Sequence, residues 1–290
     1  MKKIIFLLIV ATTILISCKK KTENIIIDNN NAPNDTTVNT VLIDNYINKA
    51  YISLLGRKPS ATEQGIYSMQ LVNAKASIAV RTTFIQQLQT TAEYKQRLYS
   101  IARTQLLNNF DTTDIEGLRK SDSIQLQDTT KRAIWFAIQE SYDNLVNLQR
   151  IPTQLANSTL NMQEMHRRCC FNVFYDGINM GTQNFVTSVF DHFMFRYPSN
   201  DELKNGIEMV DGQSRSLLFK GGKSKKDFLT IVMASNNYFE GQVRDLIKRY
   251  LYRNATTVEL STLTQQYLTS NNYQQLQLTI LISNEYVGIK

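Results

Sequence analysis

The sequence predicts an all-α body: an irregular helical array of three related helix-turn-helix-plus-helix units, interrupted by a helical insert. The first observation behind this is an internal repeat. An arginine recurs at Arg57, Arg196 and Arg253, with a large apolar residue six places before it (Tyr51, Phe190, Ile247) and a glutamate six places after it (Glu63, Glu202, Glu259). Each unit then closes on a ten-residue phrase that ends in tyrosine: Phe84 to Tyr94, Phe228 to Tyr238, Leu276 to Tyr286. Matching anchors at both ends with variable length between them mark a repeated supersecondary unit. The second observation is that Ser60-x-x-Glu63, Ser199-x-x-Glu202 and Thr256-x-x-Glu259 are capping boxes, where hydroxyl and carboxylate satisfy the free amides of a new helix. The third is that no alternating apolar and polar runs bounded by hairpin turns stand out anywhere in the body.

Taken in order, the chain opens with Met1-Lys2-Lys3, an apolar run from Ile4 to Ile16, and Ser17-Cys18. A short basic segment, an apolar stretch and small residues at a cleavage point predict a secretory signal over 1–17. The run is too short to span a bilayer, which needs roughly 20 apolar residues. Leu15-Ile16-Ser17-Cys18 resembles a bacterial lipobox, which implies lipidation at Cys18. Several acyl chains, each contributing about 0.8 kcal/mol per buried methylene, make a stable anchor. Residues 18–40 are rich in Asn, Asp, Thr and Lys, a composition that buries too little apolar surface to fold, and are expected to form a flexible tether.

Unit 1 is expected over 41–110. Ile43, Ile47, Ala50 and Leu54 share one face of a 3.6-residue period, Gly56 suits a left-handed stop, and Pro59 prevents continuation. The insert is expected over 111–182. Within it, Lys131 to Leu148 reads as an amphipathic helix with Ile134, Trp135, Ile138 and Leu145 toward the core. Residues 161–179 read as helical at first, and the polar stretch 108–130 reads as a loop. Units 2 and 3 are expected over 183–240 and 241–290.

Composition narrows the functions. The net charge is +7 over 290 residues, or +5 once Lys2 and Lys3 leave with the signal. That mildly basic body has no charged stripe interleaved with aromatics, so no nucleic-acid partner is expected. Cys169 and Cys170 are the only other cysteines. Adjacent cysteines cannot build a framework of separated disulfides, and buried free thiols are the favoured reading. His166 with these two thiols lacks the four ligands in separated pairs of a structural zinc site, so no metal is expected. His166 to Cys170 also lacks an orienting third group, and His192 lies inside a repeat helix. Lys220-Gly221-Gly222-Lys223-Ser224 lacks the first glycine of a phosphate loop, since Leu217 occupies that place. Lys220, Lys223, Lys225 and Lys226 read instead as a solvated basic loop that acidic headgroups or a glycan phosphate would suit. Arg57, Arg196 and Arg253 favour helix C-termini through the dipole, and Glu63, Glu202 and Glu259 serve as caps.

The Asn and Thr bias of residues 18–40 resembles lipoproteins of the Bacteroidota. In such proteins acidic residues usually follow the lipidated cysteine when the destination is the cell surface. Lys19-Lys20-Lys21 follows here, which favours the periplasmic face of the outer membrane. Asp35-Thr36-Thr37, Asp111-Thr112-Thr113, Asp122-Ser123-Ile124 and Asp128-Thr129-Thr130 resemble the O-glycosylation sequon of exported proteins of that phylum, with Thr36, Thr112, Ser123 and Thr129 as the acceptors. Tyr51-Ile52-Ser53-Leu54-Leu55-Gly56-Arg57-Lys58-Pro59-Ser60-Ala61-Thr62-Glu63, with Glu93-Tyr94 downstream, resembles the planctomycete-type cytochrome-associated domain of unknown function. It also resembles an LLGR-type helical repeat of bacterial surface proteins, whose units end as Ser283-Asn284-Glu285-Tyr286 does. Both imply an exported helical module and transfer no catalytic residue. Haem does not carry over, because no Cys-x-x-Cys-His motif is present.

The expectation is therefore a non-enzymatic outer-membrane lipoprotein without cofactor or catalytic residues. It is held to the membrane by its lipid and acts as a helical scaffold or binding module for an envelope protein. The alternative is a glycan- or cell-wall-binding lipoprotein. Tyr67, Tyr238, Phe239 and Tyr273 are the candidate contact aromatics, with core packing the simpler reading of each.

Overall fold

The computed structural model describes residues 40–289. Those residues form sixteen α-helices, one 3₁₀ turn and one small β-hairpin. Unit 1 comprises α1 (Thr40–Leu55), α2 (Ala61–Asn73), α3 (Ile78–Gln89) and α4 (Ala92–Leu106). The insert comprises α5 (Thr112–Gln125), the 3₁₀ turn Thr129–Ile134, α6 (Trp135–Gln149), α7 (Ile151–Ala156), α8 (Met162–Cys170) and α9 (Val173–Ile178). There follow α10 (Thr182–Met194), α11 (Asn200–Val210), β1 (Arg215–Leu217), β2 (Lys220–Gly222), α12 (Lys225–Met233) and α13 (Asn236–Leu251). The chain closes with α14 (Thr257–Ser270), α15 (Tyr273–Leu281) and α16 (Asn284–Val287).

The repeat is a four-helix phrase. Its second helix starts at the predicted capping boxes, and Ser60, Ser199 and Thr256 each accept the backbone N–H of the glutamate three residues on. Its fourth helix starts at Thr91, Ser235 and Ser283, each capping the amide of the tyrosine that ends the ten-residue phrase. Those tyrosines, Tyr94, Tyr238 and Tyr286, are all buried. Helix α13 is both the fourth helix of unit 2 and the first of unit 3, so the boundary expected at 240/241 falls inside one continuous helix.

Three local expectations are corrected. Residues 112–125 are helical because Asp111 and Asp114 form a further capping box. Only one face of α5 is buried, with Ile115 fully enclosed, so the segment reads as polar. The second helix of the insert starts at Trp135, after the 3₁₀ turn. This leaves Ile134 exposed and Trp135 half-buried, while Ile138, Leu145 and Leu148 enter the core. Residues 215–222 form an antiparallel hairpin with Leu217 paired to Lys220. Three-residue strands carry too little alternation to be read from sequence.

Unit 3 packs back against unit 1. Arg81, buried on α3, donates to the Ile282 carbonyl (2.6 Å) and to Asn284 Oδ1 (3.0 Å). Gln89 Nε2 donates to the Gln274 carbonyl (2.9 Å), and the Tyr46 ring lies edge-on to both Phe84 and Tyr286. One connected core cluster runs from Ile43 to Val287. Gly241 on α13 lets α10 approach so closely that a β-carbon there would stand 2.0 Å from the Phe193 carbonyl oxygen.

Candidate functional site

The repeated arginines and glutamates form one structural device rather than a binding set. Arg57 grips Glu63 through both terminal nitrogens at 2.8 Å, and the same carboxylate accepts the Ser60 N–H at 2.7 Å. Arg196 with Glu202 (2.7 Å on both arms) and Arg253 with Glu259 (2.8 and 2.6 Å) repeat the fork. Each guanidinium also donates to the carbonyl of the next residue at 3.1 Å. In units 1 and 3 the arginine takes a second glutamate on the fourth helix, Glu93 (2.9 Å) or Glu285 (2.6 Å). One cation thus ties the end of the first helix to the starts of the second and fourth. Forked, charge-assisted bonds of this kind fix geometry as well as adding energy. The hydrogen bonds from Arg57 and Arg253 hold Glu63 and Glu259 down to about 2. Sequence spacing revealed the cap and the arginine separately, but their joining depends on the turn between helices and is visible only in three dimensions.

Unit 2 lacks the second arm, because Asn237 stands where Glu93 and Glu285 stand in the other units. Asn237→Glu is expected to raise stability by about 0.5 kcal/mol, the usual scale for a half-exposed pair. Urea denaturation at low salt would show the gain, and 1 M salt would erase it.

The remaining sequence candidates fall as follows. Cys18 and Thr36 lie outside the described residues. Thr112 and Thr129 are exposed at helix starts and Ser123 is half-buried, while Asp111 and Asp128 before the first two act as caps. Cys169 and Cys170 are free and fully buried; burial pushes the Cys169 thiol up to about 12 and that of Cys170 well above its ordinary value. Among the described residues no three His, Cys, Asp or Glu side chains are grouped to hold a metal. Ser224 is the cap of α12, and the backbone N–H of Lys223 donates to Asp227 Oδ2 at 2.9 Å, so the glycine-rich stretch is a hairpin strand and a helix cap. Lys225 pairs with Asp176 and lies over the Phe185 ring, whereas Lys220, Lys223 and Lys226 are exposed. Tyr238, Phe239 and Tyr273 are core residues, and Tyr67 packs on Phe84 at 4.7 Å.

The aromatics that face solvent are others, Phe136 and Tyr197 among them, and three of these stand in left-handed turns. Phe195 and Tyr252 occupy the repeat position of Gly56, the left-handed stop of the first helix, with φ of 53° and 57° against 77° for the glycine. Leu218 and Phe219 form the two-residue hairpin turn, both left-handed at 50° and 65°. Such turns favour Asn-Gly, and each left-handed non-glycine residue costs about 1–2 kcal/mol. Phe195 is 45 % exposed, Tyr252 85 % and Phe219 wholly so. Sequence reading missed all three, because a left-handed conformation on an aromatic residue has no local signature.

A second feature is a cavity of about 270 Å³, with polar and apolar walls, between α1, α4, α8, α10, α13 and α15. Both histidines line it. His166 Nδ1 lies 3.0 Å from the Tyr238 hydroxyl, and His192 Nδ1 lies 2.9 Å from that of Tyr175. Burial lowers both, His166 to about 3, so each ring is neutral near pH 7. Gln277 accepts from Tyr94 and donates to Tyr250, and Arg249 pairs with Asp245. The stem of Arg97 packs beneath Gly56, and its Nε is buried without a hydrogen bond. The structure thus joins His166 and His192 with Asp191 and Asp245 around one space, a convergence of three distant segments that no linear spacing displays. No family model, curated protein or solved structure matches this chain, so its reading rests on its own residues.

Proposed function

We propose that this chain is a non-enzymatic lipoprotein of the outer membrane, anchored through Cys18 and favouring the periplasmic face, whose helical body holds a protein partner of the cell envelope. The observation that carries the binding role is the trio Phe195, Phe219 and Tyr252. Each is exposed, and each sits in the backbone conformation that disfavours an aromatic most. Strain kept at exposed positions is a mark of function rather than of folding, and exposed aromatics are the usual anchors of protein contacts. The non-enzymatic part is supported by the chemistry of the candidates: the thiols are buried and protonated, and the repeated ion pairs are occupied by the fold. The resemblance to the LLGR-type repeat of surface proteins fits an exported helical module.

The alternative, a glycan-binding lipoprotein, draws on one observation: exposed Lys220, Lys223 and Lys226 beside Phe219. The test is affinity purification from crosslinked native membranes with the intact chain, Cys18→Ala, and the triple change Phe195→Gly, Phe219→Gly, Tyr252→Gly. Glycine relieves the strain at all three sites, so the triple variant is expected to fold at least as stably as the parent. A membrane-protein partner recovered with the parent and lost in both variants is the expected result. The same partner retained by the triple variant, or recovery of glycan alone, would overturn the scaffold reading.

A further inference from the structure

The cavity between the units holds two polar groups that the protein leaves unanswered. Gln242 on α13 lines it, is only 5 % exposed, and has no hydrogen-bond partner among the described residues. Its amide atoms are not sealed from solvent, so they are reachable from the cavity space and free to donate to and accept from a guest there. Arg97 on α4 is the second. The other cavity arginine, Arg249, is matched by Asp245, whereas Arg97 has no ion pair and its buried Nε bonds to nothing. Its stem is held under Gly56, with Cδ and Nε 3.1 Å from where a β-carbon would stand. The guanidinium is therefore positioned by packing and left without an anion.

The rest of the wall combines apolar side chains, the Arg249–Asp245 pair and Asp191 with uncharged hydrogen-bonding groups. His166 and His192 are uncharged near pH 7, and each uses Nδ1 on a tyrosine hydroxyl, which leaves Nε2 as the ring nitrogen available to a guest. Asp191 is exposed and lines the cavity as well. An unmatched guanidinium fork suits a carboxylate, and neutral amide and imidazole groups suit hydroxyls. A volume of about 270 Å³ lies at the small end of ligand cavities.

We propose that this cavity is a binding site for a small hydroxylated organic carboxylate, with Arg97 taking the carboxylate and Gln242 and the histidines taking hydroxyls. The site is separate from Phe219 of the hairpin tip and Tyr252 of the unit 3 turn, and shares Phe195 with the aromatic trio. The ligand is either a free acid or the acidic end residue of a glycan, and the chemistry is shared.

The test is calorimetric titration of the intact chain in mild detergent with D-glucuronate, the trimer of D-galacturonate, D-glucose and acetate. Saturable one-to-one binding of glucuronate or of the trimer is expected, with glucose at least about tenfold weaker, the value of one charge-assisted contact, and acetate weaker because it lacks the hydroxyls. Monomeric D-galacturonate is titrated beside its trimer: binding of the monomer alone assigns a free acid, and the trimer binding as well or better assigns a glycan end. Arg97→Met keeps a stem against Gly56 and removes the charge, and is expected to lose at least about tenfold in affinity. Gln242→Leu, an independent change on another helix, is expected to weaken glucuronate while leaving acetate unchanged. No saturable binding of either acid, equal binding of glucose, or unchanged affinity in both variants would overturn the proposal. Partner capture through the aromatic trio and acid binding in the cavity are read by different measurements, so either proposal can fail alone.

Discussion

Gly241→Ala is expected to destabilise the protein by about 3 kcal/mol or more, enough to remove most of the folded population of a marginal domain. The added β-carbon would stand 2.0 Å from the Phe193 carbonyl oxygen and 2.9 Å from its carbonyl carbon. Both atoms are backbone, so no rotamer change relieves the overlap, and α10 and α13 must separate. Overpacking in well-packed interiors costs typically 1–3 kcal/mol when side chains can adjust; here they cannot. Separation would also loosen Phe193 from Tyr238 and His166, whose rings it meets at 6.1 and 5.0 Å. Urea denaturation followed by circular dichroism measures the loss. Gly65→Ala is the control, because a β-carbon there meets nothing within 4 Å, and helix propensity alone predicts a gain of about 0.5–1 kcal/mol. A parent-like midpoint for Gly241→Ala would show that the two helices are not so close in solution.

Acidification is expected to destabilise the protein well before its ion pairs fail. His166 is buried, and burial lowers it to about 3 from an ordinary value of 6.5, with the nearby Arg249 charge acting in the same direction. The unfolded chain therefore takes up a proton below pH 6.5 that the folded chain refuses. The stability this contributes is complete above pH 6.5 and is lost as pH falls toward 3, by about 2 kcal/mol at pH 5. His192, also lowered by burial, adds in the same direction. Glu63 and Glu259 act later. Lowered from 4.5 to about 2 by their arginines, they stabilise above pH 4.5 and lose that contribution as pH falls through 2. Denaturation midpoints at pH 7.5, 6.0 and 5.0 test the order. His166→Gln, which retains a hydrogen-bonding group for Tyr238, is expected to flatten the slope to what His192 leaves. A parent that is equally stable at pH 7.5 and 5.0 would contradict the buried neutral imidazole.

Much of the all-α architecture could be read from local chemistry. The capping boxes at Ser60, Ser199 and Thr256 depend on residues three apart, and each lies where spacing put it. The stop at Gly56 and the burial of Ile43, Ile47, Ala50 and Leu54 follow from one helical face and one glycine. What escaped reading depended on contacts between distant segments. Helix α5 looked like a loop because its apolar side is a narrow strip against α6. The boundary inside α13 was invisible because the same residues satisfy the end of one unit and the start of the next. The cavity draws Arg97, His166, His192 and Gln242 from four helices, and none of them carries a local mark of its role. Gln242 reads as an ordinary surface residue until its burial is known.

The helix held in common by units 2 and 3, together with the docking of unit 3 on unit 1, changes how the molecule can come apart. An open array frays from its free end, each module leaving its neighbour intact. Here the last module is fastened to the first, so peeling it away also strips the cover from Tyr46 and Tyr94. Losing α13 removes a wall from two modules at once. The body is a closed circuit rather than a stack of coins, and its melting should be a single concerted event with no shortened array surviving partway.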